Sequence, residues 1–541
     1  MQNSQLSNKT RSNELMPIEI ELKLALPAPC CAKPAQEMAW LEPLNISAAI
    51  TQKLYSIYYD TPDLKLKQMG CSLRLRRIGK DWVQTIKAGG SIVAGLHQHD
   101  EWETPLAAAY PDFSAIQHRG IKQLFKNPQF RAALQPVFTT KFTRHLQHLH
   151  LENGSEIEIC LDHGRIITGT GNRQMPICEI ELELKSGEPI KLLQLARSIV
   201  DRAPFPLRLE NASKAERGYI LFSRQHPSPF KAIKTEIKPE MRLHQALRMI
   251  MHNCLIQVGR NENDMLMANG DIEYLHQMRV ALRRFRSALN TFSETAPGDE
   301  VTAIGKELKW LFRQLNPARD WDILVTETLP DIISHFPKQT GLPLIREHCQ
   351  KLRQQYNAAA RKRVSSRRYT RLMLDILIWL NKIDQNESLA SFVGRDQASP
   401  PGDIKTFATT SMAAMHQAIM QTGEKLKGLD APALHALRID IKKQRYIADF
   451  FQALYPQASC KRYIALLAAL QDDLGAINDY AGTQKFLDEL DIKKNQREEQ
   501  YEAIGIIRGW SISCMLEKKK ALDQSWDAFR KAKLFWGRTV N

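Results

Sequence analysis

The sequence predicts an α+β multidomain protein, with a strand-rich N-terminal part and an all-helical, internally duplicated C-terminal part. Three observations carry this. Before about residue 225, apolar and polar residues alternate at period two, the spacing of half-buried strands. After it, apolar residues recur every three or four positions almost to the end, the spacing of amphipathic helices. Finally, His276-Gln-Met-Arg279-Val-Ala-Leu-Arg283-Arg284-Phe-Arg286 returns 159 residues later as His435-Ala-Leu-Arg438-Ile-Asp-Ile-Lys442-Lys443-Gln-Arg445. The same offset maps Leu311, Leu315 and Asp320 onto Leu470, Leu474 and Asp479, so the helical unit is duplicated.

A chain of 541 residues exceeds one ordinary domain. Its 43% hydrophobic and 25% charged residues describe a globular protein rather than a disordered or fibrous one. The net charge of +16 favours anionic partners: nucleic acid, a lipid surface or phosphorylated compounds. Residues 1–15 are polar and read as a disordered tail without a signal peptide, leaving the true start open between Met1 and Met16. The longest apolar run, Leu372–Leu380, contains Asp375 and falls short of a membrane span. Nine scattered cysteines, two of them adjacent at Cys30 and Cys31, lack Cys-x-x-Cys spacing; a reducing cytoplasm is expected.

Strands are expected at Ile18–Leu26, Leu54–Asp60, Ser72–Arg77, Trp82–Ala88, Ile157–Leu161 and Ile177–Lys185. In the first, Glu19, Glu21 and Lys23 share one face while Ile18, Ile20, Leu22 and Leu24 share the other. A solvated charged face is the plain reading of one such strand. Yet Arg74 and Arg76, Thr85 and Lys87, Glu156 and Glu158, and Glu179, Glu181 and Glu183 repeat the pattern. If the strands close into a barrel, the apolar faces pack outward against helices and the charges line a lumen. Clustered carboxylates suit a hard divalent cation such as Mg²⁺ or Mn²⁺, and clustered Lys and Arg suit phosphate.

In order along the chain, Glu19-x-Glu21-x-Lys23, Arg74-x-Arg76, Thr85-x-Lys87, Glu179/Glu181/Glu183 and Ser213-Lys214-Ala-Glu-Arg217-Gly218 resemble the CYTH domain of the triphosphate tunnel metalloenzymes. The resemblance covers roughly residues 16–220. It implies an eight-stranded antiparallel tunnel that hydrolyses a triphosphate or, in one branch of the family, cyclises ATP. Carried over by position, Glu19 and Glu21 would hold metal together with Glu179 and Glu181 from the opposite wall. Lys23, Arg74, Arg76, Lys87, Arg144 and Lys214 would bind the triphosphate oxygens. The catalytic set would be Lys23 and Lys87, with Glu158 and Asp162 as candidates for metal or water contacts.

In the helical part, His276, Arg279, Arg283 and Arg286 form one stripe, opposite an apolar face of Met278, Ala281, Leu282, Phe285 and Leu289. His435, Arg438, Lys442 and Arg445 repeat the stripe. A single charged stripe is ordinarily a solvated face. Two copies in a duplicated unit concentrate cations enough to want a polyanion. The paired His-x-x-Arg helices, Arg319-Asp320-x-Asp322 and Leu470-Gln-Asp-Asp-Leu474-Gly475-x-x-Asn478-Asp479 resemble the CHAD domain, over roughly residues 236–535. This implies a bundle of two pseudo-symmetric halves that binds polyphosphate through His276, Arg279, Arg283, Arg284, Arg286, His435, Arg438, Lys442, Lys443 and Arg445. Asn316-Pro317 stands where a glycine-containing turn is expected, and Asp320 and Asp479 read as helix caps or arginine partners.

The expected domains are therefore a tail at 1–15, a tunnel at 16–222, a linker at 223–240 and a helical domain at 241–541. The halves of the last run over about 241–397 and 404–535, joined at Ala398–Asp403. The expected function is metal-dependent hydrolysis of inorganic triphosphate to pyrophosphate and phosphate, with polyphosphate held by the helices. The alternatives are an adenylate cyclase, a thiamine-triphosphatase-like enzyme, or a non-catalytic polyanion scaffold. Nucleic acid is disfavoured by the lack of a helix-turn-helix, zinc finger or aromatic-interleaved basic strand. No membrane association is expected, and oligomeric state is open.

Overall fold

The computed structural model describes residues 18–27, 49–114, 116, 119–168, 173–266, 271–293, 298–385, 404–488, 490 and 497–537. The expected tail at 1–15, the alternative start at Met16, the cysteine pair Cys30–Cys31 and the joint at 398–403 lie outside these residues. The chain forms two compact units that divide between His226 and Pro227, apart from residues 206–208, which group with the second.

The first unit is built on strands β1 (Ile18–Ala25), β2 (Ile50–Asp60), β3 (Cys71–Ile78), β4 (Asp81–Val93), β5 (Leu96–Leu106), β6 (Gln135–His150), β7 (Glu156–Thr168) and β8 (Gln174–Ser186). They run in the order β5-β4-β3-β2-β6-β7-β8-β1, and β1 pairs back onto β5, closing an eight-stranded antiparallel barrel. A short β9 (Arg208–Leu209) flanks β1. Closure depends on Gly95 between β4 and β5. Its carbonyl accepts from Lys23 N at 3.0 Å, and its φ of +77° is one only glycine adopts readily. A Cβ there would sit 2.9 Å from the Leu209 side chain.

The alternation expected from the sequence decides which face is which. Leu22, Leu24, Leu73, Leu75, Ile86, Ile180 and Leu182 are buried on the outer face. Helices α1 (Lys65–Gln68), α2 (Arg119–Phe125) and α3 (Pro128–Ala133) cover β3 and β4, burying Leu66, Ile121, Phe125 and Phe130 against Leu73 and Ile86. Helix α4 (Pro189–Arg202) packs on β1 and β8 with Ile190, Leu193, Ala196 and Ile199 buried. Helix α5 (Lys214–Ser223) starts at its Ser213 N-cap, whose hydroxyl accepts from Glu216 N at 3.1 Å. Not all inward-facing residues are polar. Tyr58, Phe138, Phe142, Ile166 and Ile177 share strand faces with the charged residues and cluster with Tyr219 of α5, so part of the lumen is an apolar plug.

Strands β5 and β6 fall where no strand was expected, for a physical reason. The stretch His97–Glu101 has no apolar residue, and residues 141–148 mix polar side chains on both faces, which hides period two.

From Pro227 onward the second unit is helical among the described residues. Its helices are α6 (Leu243–Leu266), α7 (Ile272–Thr291), α8 (Asp299–Ile323), α9 (Leu329–His335), α10 (Gly341–Val364), α11 (Arg367–Gln385), α12 (Ile404–Gly423), α13 (Ala431–Phe451), α14 (Gln457–Asp488) and α15 (Arg497–Arg530). The 159-residue offset holds in detail. Asp271 caps α7 and Asp430 caps α13, each accepting a backbone N–H at 2.9 Å. Leu311 and Leu315 of α8 are buried, as are Leu470 and Leu474 of α14. One expectation needs correction. Asn316-Pro317 and Gly475 are not in turns: α8 continues through Pro317 and α14 through Gly475. Tertiary packing of Leu308, Leu311 and Leu315 outweighs the helix-breaking tendency of Pro317. Nor are Asp320 and Asp479 caps, since both lie inside helices.

Candidate active site and cation cluster

The charged strand faces meet inside the barrel and neutralise one another. Lys214, carried in at the start of α5, is the hub of one network. Its Nζ lies 2.7 Å from Asp162 Oδ2, 2.5 Å from Glu179 Oε1 and 2.8 Å from Glu181 Oε1. Arg144 binds Asp162 with both arms at 2.7 Å and also reaches Glu181. Arg217 holds Glu179, and Lys23 bridges Glu181 and Glu21, the latter at 2.8 Å. Strong pairing keeps Asp162, Glu181 and Glu21 ionised despite burial. Burial opposes the charge on Glu181, but Lys214, Lys23 and Arg144 hold its pKa well below the usual carboxylate range. Burial likewise opposes Glu21, but Lys23 and Lys87 bring it to about 2.

A second network lies towards β4 and β5. Lys87 pairs with Glu19 and stands 3.5 Å from Glu101. Arg74 lies 3.6 Å from both Glu101 and Glu103 and donates to Thr85 Oγ1 at 3.0 Å. Burial pushes Glu19 up to about 7, with Lys87 resisting. Arg76 differs from the other cations: among the described residues it forms no ion pair, and its Nε donates only to Ser56 Oγ at 3.2 Å. Burial, then Arg74 and Arg144, lower its pKa to about 10. It is a half-buried cation short of an anion.

The lumen thus gathers Glu19, Glu21, Lys23, Arg74, Arg76, Lys87, Arg144, Asp162, Glu179, Glu181 and Lys214. Glu158 stands aside, 3.7 Å from Lys185. Two expectations change. Glu179 and Glu181 do not face Glu19 and Glu21 from an opposite wall: β8 is the direct neighbour of β1, with Lys23 opposite Glu181 and Glu21 opposite Glu183. Closure requires β1 to pair on both edges, and β8 takes one of them. The compact acidic group is instead Asp162, Glu179 and Glu181, with ligand oxygens within 4.8 Å of one another. Sequence reasoning also missed Glu101 and Glu103, although their alternation on β5 was available, and it gave Arg217 no role. It missed His97 as well. His97 is fully buried, its Nε2 donates to the Glu210 carbonyl at 2.8 Å, and burial followed by Lys23 lowers its pKa to about 4.

In the helical unit the two basic stripes face each other where α7 packs on α13. The Lys442 ammonium feels Arg438 from its own helix and Arg283 and Arg279 from the other. Burial and these like charges lower its pKa to about 7. Burial and Arg283 lower Arg279 to about 10. Burial and Arg319 lower His276 to about 4, so Arg319 of α8 joins the cluster unforeseen. Asp320 supports Arg279, and Asp479 supports Arg438 and Lys442. The buried Nε atoms of Arg279, Arg283, Arg319, Arg438 and Arg445 have no hydrogen-bond acceptor. Arg286 and His435 are exposed. Arg284 does not belong to the stripe: it is buried, bonded to Gln257 at 3.2 Å and stacked over Phe450. Lys443, its counterpart, pairs with Asp440 at 2.8 Å. Both sit five residues past the first stripe arginine, about 140° around the helix. Arg279 Nη2 donates to Asn316 Oδ1 at 3.0 Å, whereas Arg438 lies over Gly475, the equivalent position.

Comparison with known proteins agrees with both halves. Residues 17–219 match the CYTH domain and residues 249–488 the CHAD domain. An inorganic triphosphatase of Haemophilus influenzae is 36% identical over 212 residues, spanning 38% of this chain and 56% of that protein. An uncharacterised protein of Mycobacterium tuberculosis is 24% identical over 452 residues, 80% of this chain and 82% of its own length. The crystal structure of the CHAD domain from Ricinus communis is 32% identical, covers 57% of this chain and 98% of that one, and has a TM-score of 0.49. The chain is a CYTH–CHAD protein, with an N-terminal CYTH barrel and a C-terminal CHAD helical domain.

Proposed function

We propose that the barrel hydrolyses inorganic triphosphate to pyrophosphate and phosphate with Mg²⁺ or Mn²⁺, and that the helical domain holds polyphosphate. The observation that carries the first part is one lumen lined by six cations and a close trio of carboxylates. The trio is all oxygen, the donor type that hard divalent cations prefer, so the residues fit such an ion. When bound, the cation supplies charge neutralisation on phosphate oxygens and a more acidic water. The chain's own residues do the rest. Arg74, Arg76 and Lys87 neutralise phosphate oxygens, with Arg76 needing no ion pair broken to do so. Lys23, Arg144 and Lys214 exchange carboxylate partners for phosphate when substrate enters. Water attacks the terminal phosphorus, the bridging P–O bond breaks, and pyrophosphate leaves. Glu158, 3.7 Å from Lys185, orients that water, while Asp162, released as Arg144 and Lys214 turn to phosphate, would join Glu179 and Glu181 in holding the cation. The named triphosphatase relative supports this reading of the barrel. The test is phosphate release from triphosphate, ATP and thiamine triphosphate with each metal. Preference for either organic substrate, or formation of cyclic AMP, would sink the inorganic assignment.

The helical reading rests on opposed stripes whose buried guanidinium donors lack acceptors. Polyphosphate affinity should fall steeply with salt, and Arg283→Ala should reduce the slope of log K against log salt by about one. Titration at several ionic strengths checks this. A pH effect follows from Lys442. Its folded pKa of about 7 lies below the 10.5 of an ordinary lysine, so the folded domain holds fewer protons between those values and its stability rises with pH there. A bound polyanion restores the proton. Binding should therefore take up a proton near pH 8 and weaken as pH rises through 7 to 9. Calorimetry in buffers of different ionisation enthalpy measures the uptake, and Lys442→Met should remove it.

A further inference from the structure

Among the described residues one helix face is left uncovered, and its chemistry names its occupant. On α15, Gln500, Ala503, Ile504, Ile507 and Ser511 are buried against the bundle. The opposite face carries Glu498, Glu502, Gly505, Gly509, Ile512, Leu516 and Lys519, all exposed. These steps alternate between four and three residues, the spacing of a coiled-coil seam. Beside them Tyr501 is 57% exposed, with Leu516 at 49% and Ile512 at 39%. Among the described residues nothing lies within 4 Å of a Cβ built on Gly505 or Gly509. The duplicate helix lacks this face. The 159-residue offset places Arg353 and Asn357 where Ile512 and Leu516 stand, and both bind Asp322. The apolar face thus belongs to the second half alone.

Charge along the seam selects the partner. The N-terminal end is acidic (Glu498, Glu499, Glu502) and the C-terminal end basic (Lys518, Lys519, Lys520). A parallel copy would oppose like charges at both ends. An antiparallel copy related by a two-fold axis between Arg508 and Gly509 instead sets Glu498 against Lys519, Tyr501 against Leu516 and Gly505 against Ile512. Each pair occurs twice, as a self-complementary interface requires. The glycines supply holes for the isoleucines, and the paired stretch from 498 to 519 runs about 32 Å.

We propose that α15 is a homodimerisation helix, pairing antiparallel with α15 of a second copy. Sedimentation velocity of the full chain should show a species of twice 61.9 kDa that dissociates on dilution. Gly505→Leu should give monomers with an unchanged or raised melting temperature, because glycine disfavours an exposed helix interior. Glu498→Lys and Lys519→Glu should each weaken the dimer, and the double exchange should restore it. Circular dichroism confirms that each variant folds. A wild-type chain that stays monomeric up to millimolar concentration overturns the proposal. So does a dimer whose dissociation is unchanged by Gly505→Leu and by both charge reversals, since another surface would then form it.

Discussion

Replacing Lys87 with alanine is expected to lower phosphate release from inorganic triphosphate by at least about 10²-fold, the usual cost of one preorganised charge donor in a dry site. Lys87 is placed by β4 with its ammonium against Glu19 and 3.5 Å from Glu101. It is the cation that joins the Glu19 carboxylate to the Arg74 group. Glu21→Ala should be as severe for a different reason. Glu21 is 6% exposed and held at a pKa of about 2, and its carboxylate fixes Lys23 at 2.8 Å. Removing it leaves Lys23 to swing wholly towards Glu181 and takes one carboxylate from the lumen. Steady-state phosphate release, with circular dichroism as a folding control, measures both. Full activity in either variant would remove the barrel lumen as the site.

Lys214→Ala is expected to destabilise the CYTH domain by about 3–5 kcal/mol, the cost of breaking a buried ion pair by removing one partner. Its ammonium touches three carboxylates that lie within 4.8 Å of one another. Arg144, Arg217 and Lys23 each hold only part of that charge. Lys214→Met should behave alike, which separates charge from volume. Mg²⁺ or Mn²⁺ should return part of the loss, because a cation that binds only the folded state stabilises it by mass action. Thermal melts with and without metal measure this, and a variant as stable as the parent without metal would refute the hub role. The same pairs set the acid limit. Asp162, Glu21 and Glu181 have folded pKa values lowered from their ordinary ones, so their contribution is complete above the ordinary carboxylate range and lost as pH falls below it, for Glu21 as pH falls towards 2.

Much of this protein was legible in one dimension because strand and helix periods are local. Alternation in Ile18–Leu24 and Ile177–Lys185 assigned their inward and outward faces before any strand was paired. The 159-residue repeat exposed the duplicated bundle, although its capping aspartates, Asp271 and Asp430, emerged only from the structure. Alternation marked Glu19, Glu21, Lys23, Arg74, Arg76, Lys87, Glu179 and Glu181, whereas Arg144 and Lys214 came only from the resemblance to the CYTH domain; Lys214 reaches Asp162 from 52 residues away. Period and repeat say nothing of which strand neighbours which, or of which cation meets which carboxylate. Only barrel closure made β8 adjacent to β1 rather than opposite it, and brought Asp162 together with Glu179 and Glu181. Only helix packing set Lys442 against Arg283, turned Arg284 into the core and carried α8 on through Pro317. The reason is physical: a residue's preference for a face is a property of neighbouring sequence, whereas electrostatic pairing and burial depend on contacts between segments that the chain brings together only on folding.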